Sequence, residues 1–142
     1  MTDFTERATP RLDIAFLMLA SGCLIVGICL GIYMGVKEDF QLVAVHTHIN
    51  LLGWVSLALF GVIYRNYPRL AASGLARAHF WLAAPGALAF PFGLYLMQAH
   101  QIHVVMVVGS LLWLLGALVF FMAVAGLALS RSSPAPAMAA GE

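Results

Sequence analysis

The side chains best suited to chemistry are histidines, and four of them form two close pairs in apolar stretches. His46 and His48 are separated by one residue, whereas His100 and His103 are separated by two. An imidazole in an apolar medium is costly unless it has a partner, and a metal ion or haem iron is a common one. We interpret these histidines as candidate ligands. The alternative for each is a hydrogen-bonded or interfacial residue near a helix end.

Helix geometry limits which histidines can share a site. Two residues along an α-helix correspond to about 200° of rotation, so His46 and His48 point to opposite sides and cannot both bind one metal from an unbroken helix. They serve two sites, or one of them packs against a neighbour. His100 and His103, three residues apart, share a face. His79 is expected about 30 Å away across a 20-residue span and cannot join them.

Composition indicates an integral membrane protein. The chain has 142 residues, of which 63% are hydrophobic and 9% charged, with a net charge of +1. Soluble domains carry about 25% charged residues, so this chain has too little charge to cover a water-facing surface. A soluble domain, a disordered chain and a nucleic-acid-binding protein are excluded. Two cysteines do not make a disulfide scaffold.

Four apolar runs predict an all-α fold, an integral membrane four-helix bundle in one domain over residues 1–130. A spanning helix needs about 20 apolar residues. The tail at 131–142 contains small residues and proline and is predicted to be disordered. The expected helices are approximately 13–36, 41–65, 77–98 and 102–129. Aromatic residues expected in belts at the span ends are Tyr64, Tyr67, Trp81 and Tyr95.

Basic residues predict the orientation of the helices. Only Lys37 lies at the end of the helices that carries the histidine pairs. The other six basic residues are Arg7, Arg11, Arg65, Arg69, Arg77 and Arg131. Because basic residues favour the cytoplasmic side, both termini are predicted to be cytoplasmic in a multi-pass protein of a bacterial inner membrane. The histidine pairs then face the periplasm.

The first helix carries glycine at every fourth position, at Gly27, Gly31 and Gly35. Small residues at this spacing let another backbone approach closely, so helix packing is the favoured interpretation. The alternative is a flat face against a haem. Since four thin helices enclose little space, we also predict a homo-oligomer formed through this stripe or through a face of the second helix.

Several residues resemble the last four helices of the main subunit of the haem–copper oxidases, the family of cytochrome c oxidase and nitric oxide reductase. The resemblance covers about residues 44–125. The His-x-His helix of the family is matched by His46-Thr47-His48, Gly61 and Tyr67-Pro68. The two helices that follow are matched by His79-Phe80-Trp81-Leu82 with Phe90-Pro91, and by Gly109-Ser110-Leu111.

The resemblance implies haem b as cofactor. In the family, the residue matched by His46 ligates the iron of a high-spin haem, and the residue matched by His48 ligates a low-spin haem on the other side of the helix. His48-Ile49-Asn50 also resembles a His-x-Asn motif of nitric oxide reductases, which makes Asn50 a candidate cofactor-binding residue. This sequence has no counterpart of the first eight helices, which carry the copper ligands, so oxygen reduction by this chain alone is not expected.

We therefore predict a haem-binding membrane protein that transfers electrons or binds a diatomic gas, O₂ or NO. A respiratory-chain electron donor would be its partner. The second axial ligand would be His100 or His103 of the same chain, or a residue of a neighbouring copy. Two alternatives stay open. One is a periplasm-facing copper or zinc binder that uses His46, His100 and His103. The other is a structural accessory or assembly subunit of a respiratory complex.

The orientation can be tested by cysteine labelling. A cysteine at Gln101, in a chain whose Cys23 and Cys29 are replaced, should react with a membrane-impermeant thiol reagent in intact cells, because the turn around it is predicted to be periplasmic. A cysteine at Ser132 should be protected in the same assay. Protection at Gln101 together with labelling at Ser132 would reverse the orientation.

Overall fold

Four long helices make up almost all of residues 11–131, the part of the chain that the computed structural model describes. Each is long and apolar enough to cross a membrane, with a mean hydropathy between 1.4 and 2.6. The helices are α1 (Leu12–Lys37), α2 (Val43–Asn66), α3 (Gly74–His100) and α4 (Val104–Arg131), and a single helical turn, Pro68–Ala71, lies between α2 and α3. The all-helical fold with four candidate spans is confirmed.

The predicted helix bounds differ from the observed ones by at most three residues. The predicted tail began at Arg131, but this residue still belongs to α4. The rest of that tail lies outside the described residues. The ends of apolar runs thus locate helix ends well, because a helix in an apolar medium satisfies its own backbone hydrogen bonds.

Helix α2 is not a uniform α-helix. It begins as an α-helix over Val43–His48, continues as a π-helix over Ile49–Ser56 and ends as an α-helix over Leu57–Asn66. A π-helix is rare and recurs at functional sites. The assumption of an unbroken helix is therefore wrong beyond His48, although the two candidate ligands of α2 lie in its α-helical first part.

Helices α1 and α2 pack closely and antiparallel through glycines of α2. A Cβ atom at Gly53 would lie 2.7 Å from Cys23 Sγ, and one at Gly61 would lie 3.0 Å from the carbonyl oxygen of Asp13. The Asp13 carboxylate also lies 3.6 Å from the Arg65 guanidinium at the same end of this interface. Glycine therefore fixes the register of the two helices.

Helices α3 and α4 approach backbone to backbone. A Cβ atom at Gly109 of α4 would lie 2.5 Å from the Phe90 backbone nitrogen, and one at Gly86 of α3 would lie 2.7 Å from that of Trp113. Gly93 makes an even closer contact with the backbone of Met106. Backbone atoms cannot rotate away as a side chain can, so these positions require glycine.

The core is concentrated at the end of the molecule where α1 begins and α2 ends. Its largest fully buried side chains include Phe16, Leu57, Tyr64 and His79. At the opposite end, an apolar groove of about 460 Å³ is lined by residues of α1, α2 and α3. The buried aromatic side chains are therefore concentrated at one end, and this groove lies at the other.

Replacing Gly109 by alanine tests the contact between α3 and α4. The new methyl group would meet the Phe90 backbone, and overpacking of this kind costs about 1–3 kcal/mol. Gly126→Ala is the matched control on the same helix, since nothing lies within 4 Å of its added Cβ. We expect Gly109→Ala to lower the midpoint of thermal unfolding in mild detergent and Gly126→Ala to preserve it. Equal stability of the two variants would contradict this register.

Candidate functional site

His46 and His48 lie at the start of α2 against different neighbouring helices. A Cβ atom at Gly31 of α1 would lie 3.0 Å from His46 Cε1. The His48 ring packs edge-on against Phe90 of α3, with ring centroids 4.9 Å apart and planes at 82°. Both rings are half-buried. The two imidazoles therefore belong to separate environments, as their rotation of about 200° requires.

The hydrogen bond of His48 defines its tautomer. His48 Nδ1 lies 2.8 Å from the carbonyl oxygen of Ala44. A carbonyl oxygen only accepts, so Nδ1 carries the proton and donates it. In the neutral ring the lone pair then resides on Nε2. This nitrogen is the one that a metal ion or haem iron would bind, and the bonded Nδ1 fixes the orientation of the ring.

Asn50 braces the histidine at the α1 side of the helix. Its Nδ2 donates to the carbonyl oxygen of His46 at 2.9 Å and lies 3.5 Å from His46 Nδ1. A Cβ atom at Gly27 would lie only 2.6 Å from Asn50 Oδ1. Asn50 thus occupies the space that the missing side chain of Gly27 leaves, one turn along from His46.

Two of the three glycines in the α1 stripe contact the second helix of the same chain. Gly27 faces Asn50 and Gly31 faces His46, whereas a Cβ at Gly35 would meet nothing within 4 Å. Helix packing, the favoured interpretation of this stripe, is therefore correct for Gly27 and Gly31. The expectation that these two glycines form an oligomer interface or face a haem is wrong, because the second helix of the same chain already covers them.

His100 and His103 do not share a helical face, contrary to the sequence expectation. His100 is the last residue of α3, and His103 precedes Val104, the first residue of α4. Between them Gln101 adopts a left-handed conformation with φ of 57° and ends α3. Both imidazoles are exposed. They flank a turn, so the three-residue spacing no longer aligns them.

The ligand set proposed for copper or zinc is not gathered in the fold. Within residues 11–131, no group of three or more His, Cys, Asp or Glu side chains is close enough to hold a metal ion. His46 lies against α1, and His100 and His103 lie on the exposed turn. Within the described residues, the histidines are therefore separate side chains and do not form a cluster of metal ligands.

A second polar pair lies in the core, near the opposite end. His79 is 0% exposed, and its Nδ1 lies 2.8 Å from the Tyr64 hydroxyl oxygen. Its Nε2 has no hydrogen-bond partner within the described part of the chain. The ring centroid lies 4.4 Å from that of Phe60, 5.1 Å from that of Phe120 and 5.3 Å from that of Phe16. His79 is thus enclosed by aromatic rings from the other three helices.

Sequence reasoning missed this pair. Tyr64 was expected in an interfacial aromatic belt and His79 at a helix start, but Tyr64 is only 1% exposed and both are core residues. The belt assignment is therefore wrong for Tyr64. A signal was present, since Phe16, Phe60 and Phe120 each place one aromatic ring at a similar depth in α1, α2 and α4.

The chain matches no protein-family model, no curated protein and no solved structure. The resemblance to the haem–copper oxidases therefore depends on the quoted motif residues. What the geometry adds is independent of any relative. It provides one imidazole with a defined free nitrogen, a second braced by an amide, and a separate buried histidine.

The Tyr64–His79 hydrogen bond is expected to stabilise the core in a way that is not additive. Tyr64→Phe leaves both ring nitrogens of a buried histidine without a partner, which costs about 1–3 kcal/mol. In a Tyr64→Phe, His79→Leu double variant no such nitrogen remains, so its destabilisation should be smaller than the sum of the two single losses. The measurement is a double-mutant cycle on unfolding free energy in detergent. Strict additivity would show that the bond contributes nothing.

Proposed function

We propose that this chain is a b-type haem-binding membrane protein in which His48 is an axial ligand of the iron. One observation carries the proposal: the Nδ1 proton of His48 is donated to the carbonyl oxygen of Ala44, which leaves the Nε2 lone pair unprotonated. Histidines that ligate metals generally donate their other ring nitrogen to a carbonyl or a carboxylate. The resemblance of His46-Thr47-His48 to the oxidase helix supports the same residue.

The surroundings of His48 suit an apolar cofactor. The ring packs on Phe90, next to an α3 segment that includes the buried residues Pro91 and Leu94. The apolar groove at this end of the molecule is lined by neither His46 nor His48. Haem held by His48 would therefore not lie in this groove, and we propose that a second copy or another subunit helps to enclose it. The proposed homo-oligomer would then form through a surface other than Gly27 and Gly31.

His46 and Asn50 form the second part of the proposed site. The resemblance assigns His46 to a high-spin haem on the other side of α2 from His48, a side against which Gly27 and Gly31 of α1 already pack in this chain. The His46 ring already contacts Gly31, and the amide of Asn50 lies near its Nδ1. Asn50 is therefore a positioning residue for His46. His100 and His103, exposed at the turn near the same end, remain candidates for the second axial ligand in a neighbouring copy.

Haem bound here would supply one-electron transfer, or an open iron position for O₂ or NO. The contribution of the protein is the choice of ligand, its hydrogen bonding and the burial of the site, which together set the reduction potential. We propose a bacterial inner membrane with the His48 end toward the periplasm and a respiratory-chain electron donor as partner. The copper or zinc alternative has less support, because within residues 11–131 the side chains of His46, His100 and His103 are not gathered into one site.

Replacing His48 by alanine tests the proposal. Protein purified in mild detergent with haem supplied during expression should show the optical spectrum of six-coordinate low-spin haem. His48→Ala should lose this spectrum, and imidazole added to the buffer should restore it in part, because the defect is a missing ligand. His46→Ala should remove a different haem or leave the low-spin signal largely intact, since it faces the other side of α2.

Thr47→Ala is the matched control. Thr47 lies between the two histidines, is exposed and only donates to the Val43 carbonyl oxygen at 2.8 Å. It should keep the full haem content and the wild-type spectrum. A His48→Ala variant that folds and retains the six-coordinate spectrum would refute the assignment. A colourless wild-type protein that carries stoichiometric copper or zinc would favour the metal-binding alternative.

A further inference from the structure

A second groove lies at the arginine-rich end of the molecule, far along the helices from the proposed haem ligands. It is formed by the end of α2, the helical turn Pro68–Ala71, the start of α3 and the last turns of α4, and its volume is about 720 Å³. One part of its wall is polar, with Asn66, Arg69 and Ser73. The other part is apolar and includes Leu75 and Met122. The groove is therefore amphipathic.

The polar wall presents hydrogen-bond donors. The Ser73 hydroxyl oxygen accepts from the backbone N–H of Ala76 at 3.1 Å, as the N-cap of the 27-residue helix α3. Its own proton remains able to donate outward. Asn66 Nδ2 uses one proton on the carbonyl oxygen of Val62 at 2.8 Å and keeps its second. Together with the Arg69 guanidinium, these groups suit an anionic ligand.

The charges at this end favour an anion beside Arg69, an arginine that lines the groove. Asp13 is the sole acidic residue at this end within residues 11–131, and its carboxylate is paired with Arg11 at 3.5 Å and with Arg65 at 3.6 Å. In the same described range Arg69 has no acidic partner. The N-terminus of α3 adds partial positive charge beside Ser73. Among residues 11–131, Arg69 is thus a positive centre at the groove without an ion pair.

The apolar wall fits a hydrocarbon chain. Met122 is 51% exposed and lines the groove together with Leu75 and Gly126. A Cβ atom at Gly126 would meet nothing within 4 Å, so this glycine leaves open space along α4. The apolar strip runs along a helix that is long and apolar enough to cross a membrane. A ligand that fills the groove would therefore join an anionic group to a chain lying along α4.

We propose that this groove binds an anionic phospholipid, with the headgroup phosphate at Arg69 and Ser73 and one acyl chain over Gly126. Basic pockets between membrane-spanning helices recognise anionic headgroups in this way. The site does not depend on haem binding, because it lies at the opposite end from His48. It requires only that the helices span a bilayer.

Native mass spectrometry of the full chain in mild detergent, with phosphatidylglycerol titrated in, tests the site. Arg69→Gln should weaken the bound-lipid adduct about fivefold, the effect expected for one basic side chain near an anionic group. Gly126→Leu should fill the space for the acyl chain and reduce the adduct while leaving the fold intact.

Two matched controls isolate the groove. Arg77→Gln removes the same charge from an exposed position near the same end but outside the groove, and Gly35→Leu adds the same side chain at an open position on α1. Both should bind phosphatidylglycerol as the wild type does. Equal loss in Arg77→Gln and Arg69→Gln would overturn the proposal, because it would indicate a non-specific field of charge.

Two further probes distinguish the chemistry of the ligand. Phosphatidylcholine should bind much more weakly than phosphatidylglycerol, and equal binding would overturn recognition of the anionic headgroup. Glycerophosphoglycerol, the headgroup without chains, should fail to displace the lipid at equal concentration. Displacement by it would overturn the assignment to a lipid and indicate a site for a soluble organic phosphate.

Discussion

A polar ring within an apolar span has to find its hydrogen-bond partners inside the protein, and this constraint determines where the histidines of this chain can be. His48 donates to a carbonyl of its own helix, His46 lies beside the amide of Asn50, and His79 pairs with the Tyr64 hydroxyl. Each of these contacts involves Nδ1, so the role of Nε2 in each ring is a separate question. For His48 that nitrogen is Nε2 of a half-buried ring, and for His79 it is Nε2 of a ring sealed among aromatic side chains.

Glycine decides which of these rings are accessible. At the interface of α1 and α2, Gly27 and Gly31 admit Asn50 and His46 so closely that this side of α2 is filled. The side of α2 that carries His48 faces α3, and there the His48 ring packs edge-on against the ring of Phe90. Because His46 is held by close backbone approach and His48 is not, the two members of one motif differ in how readily each could accept a cofactor from outside the chain.

Much of the fold follows from hydropathy, because an apolar run of spanning length can satisfy its backbone only as a helix. The four spans and their ends were therefore predictable to within a few residues. The π-helical segment Ile49–Ser56 was not, because hydropathy indicates a helix and not which hydrogen-bonding pattern the helix adopts. His100 and His103 were misplaced for a different reason: the turn around Gln101 was predicted, but the shared face was inferred from spacing on one continuous helix, and the left-handed Gln101 ends α3 between them.

The two ends of the molecule differ in the side chains that they bury, and this difference suits the two proposed ligands. At the arginine-rich end, Phe16, Phe60, Tyr64 and Phe120 close around His79, so any ligand there has to bind outside the core, in the surface groove beside Arg69. At the other end an apolar groove is lined by α1, α2 and α3, and the histidines of α2 remain half-buried. A rigid planar cofactor needs space between helices, whereas a flexible lipid needs only a surface strip. Close glycine contacts such as that of Gly93 with Met106 hold the helices in register at this end too. His48 stays half-buried beside α3, where a second subunit would complete the proposed haem site.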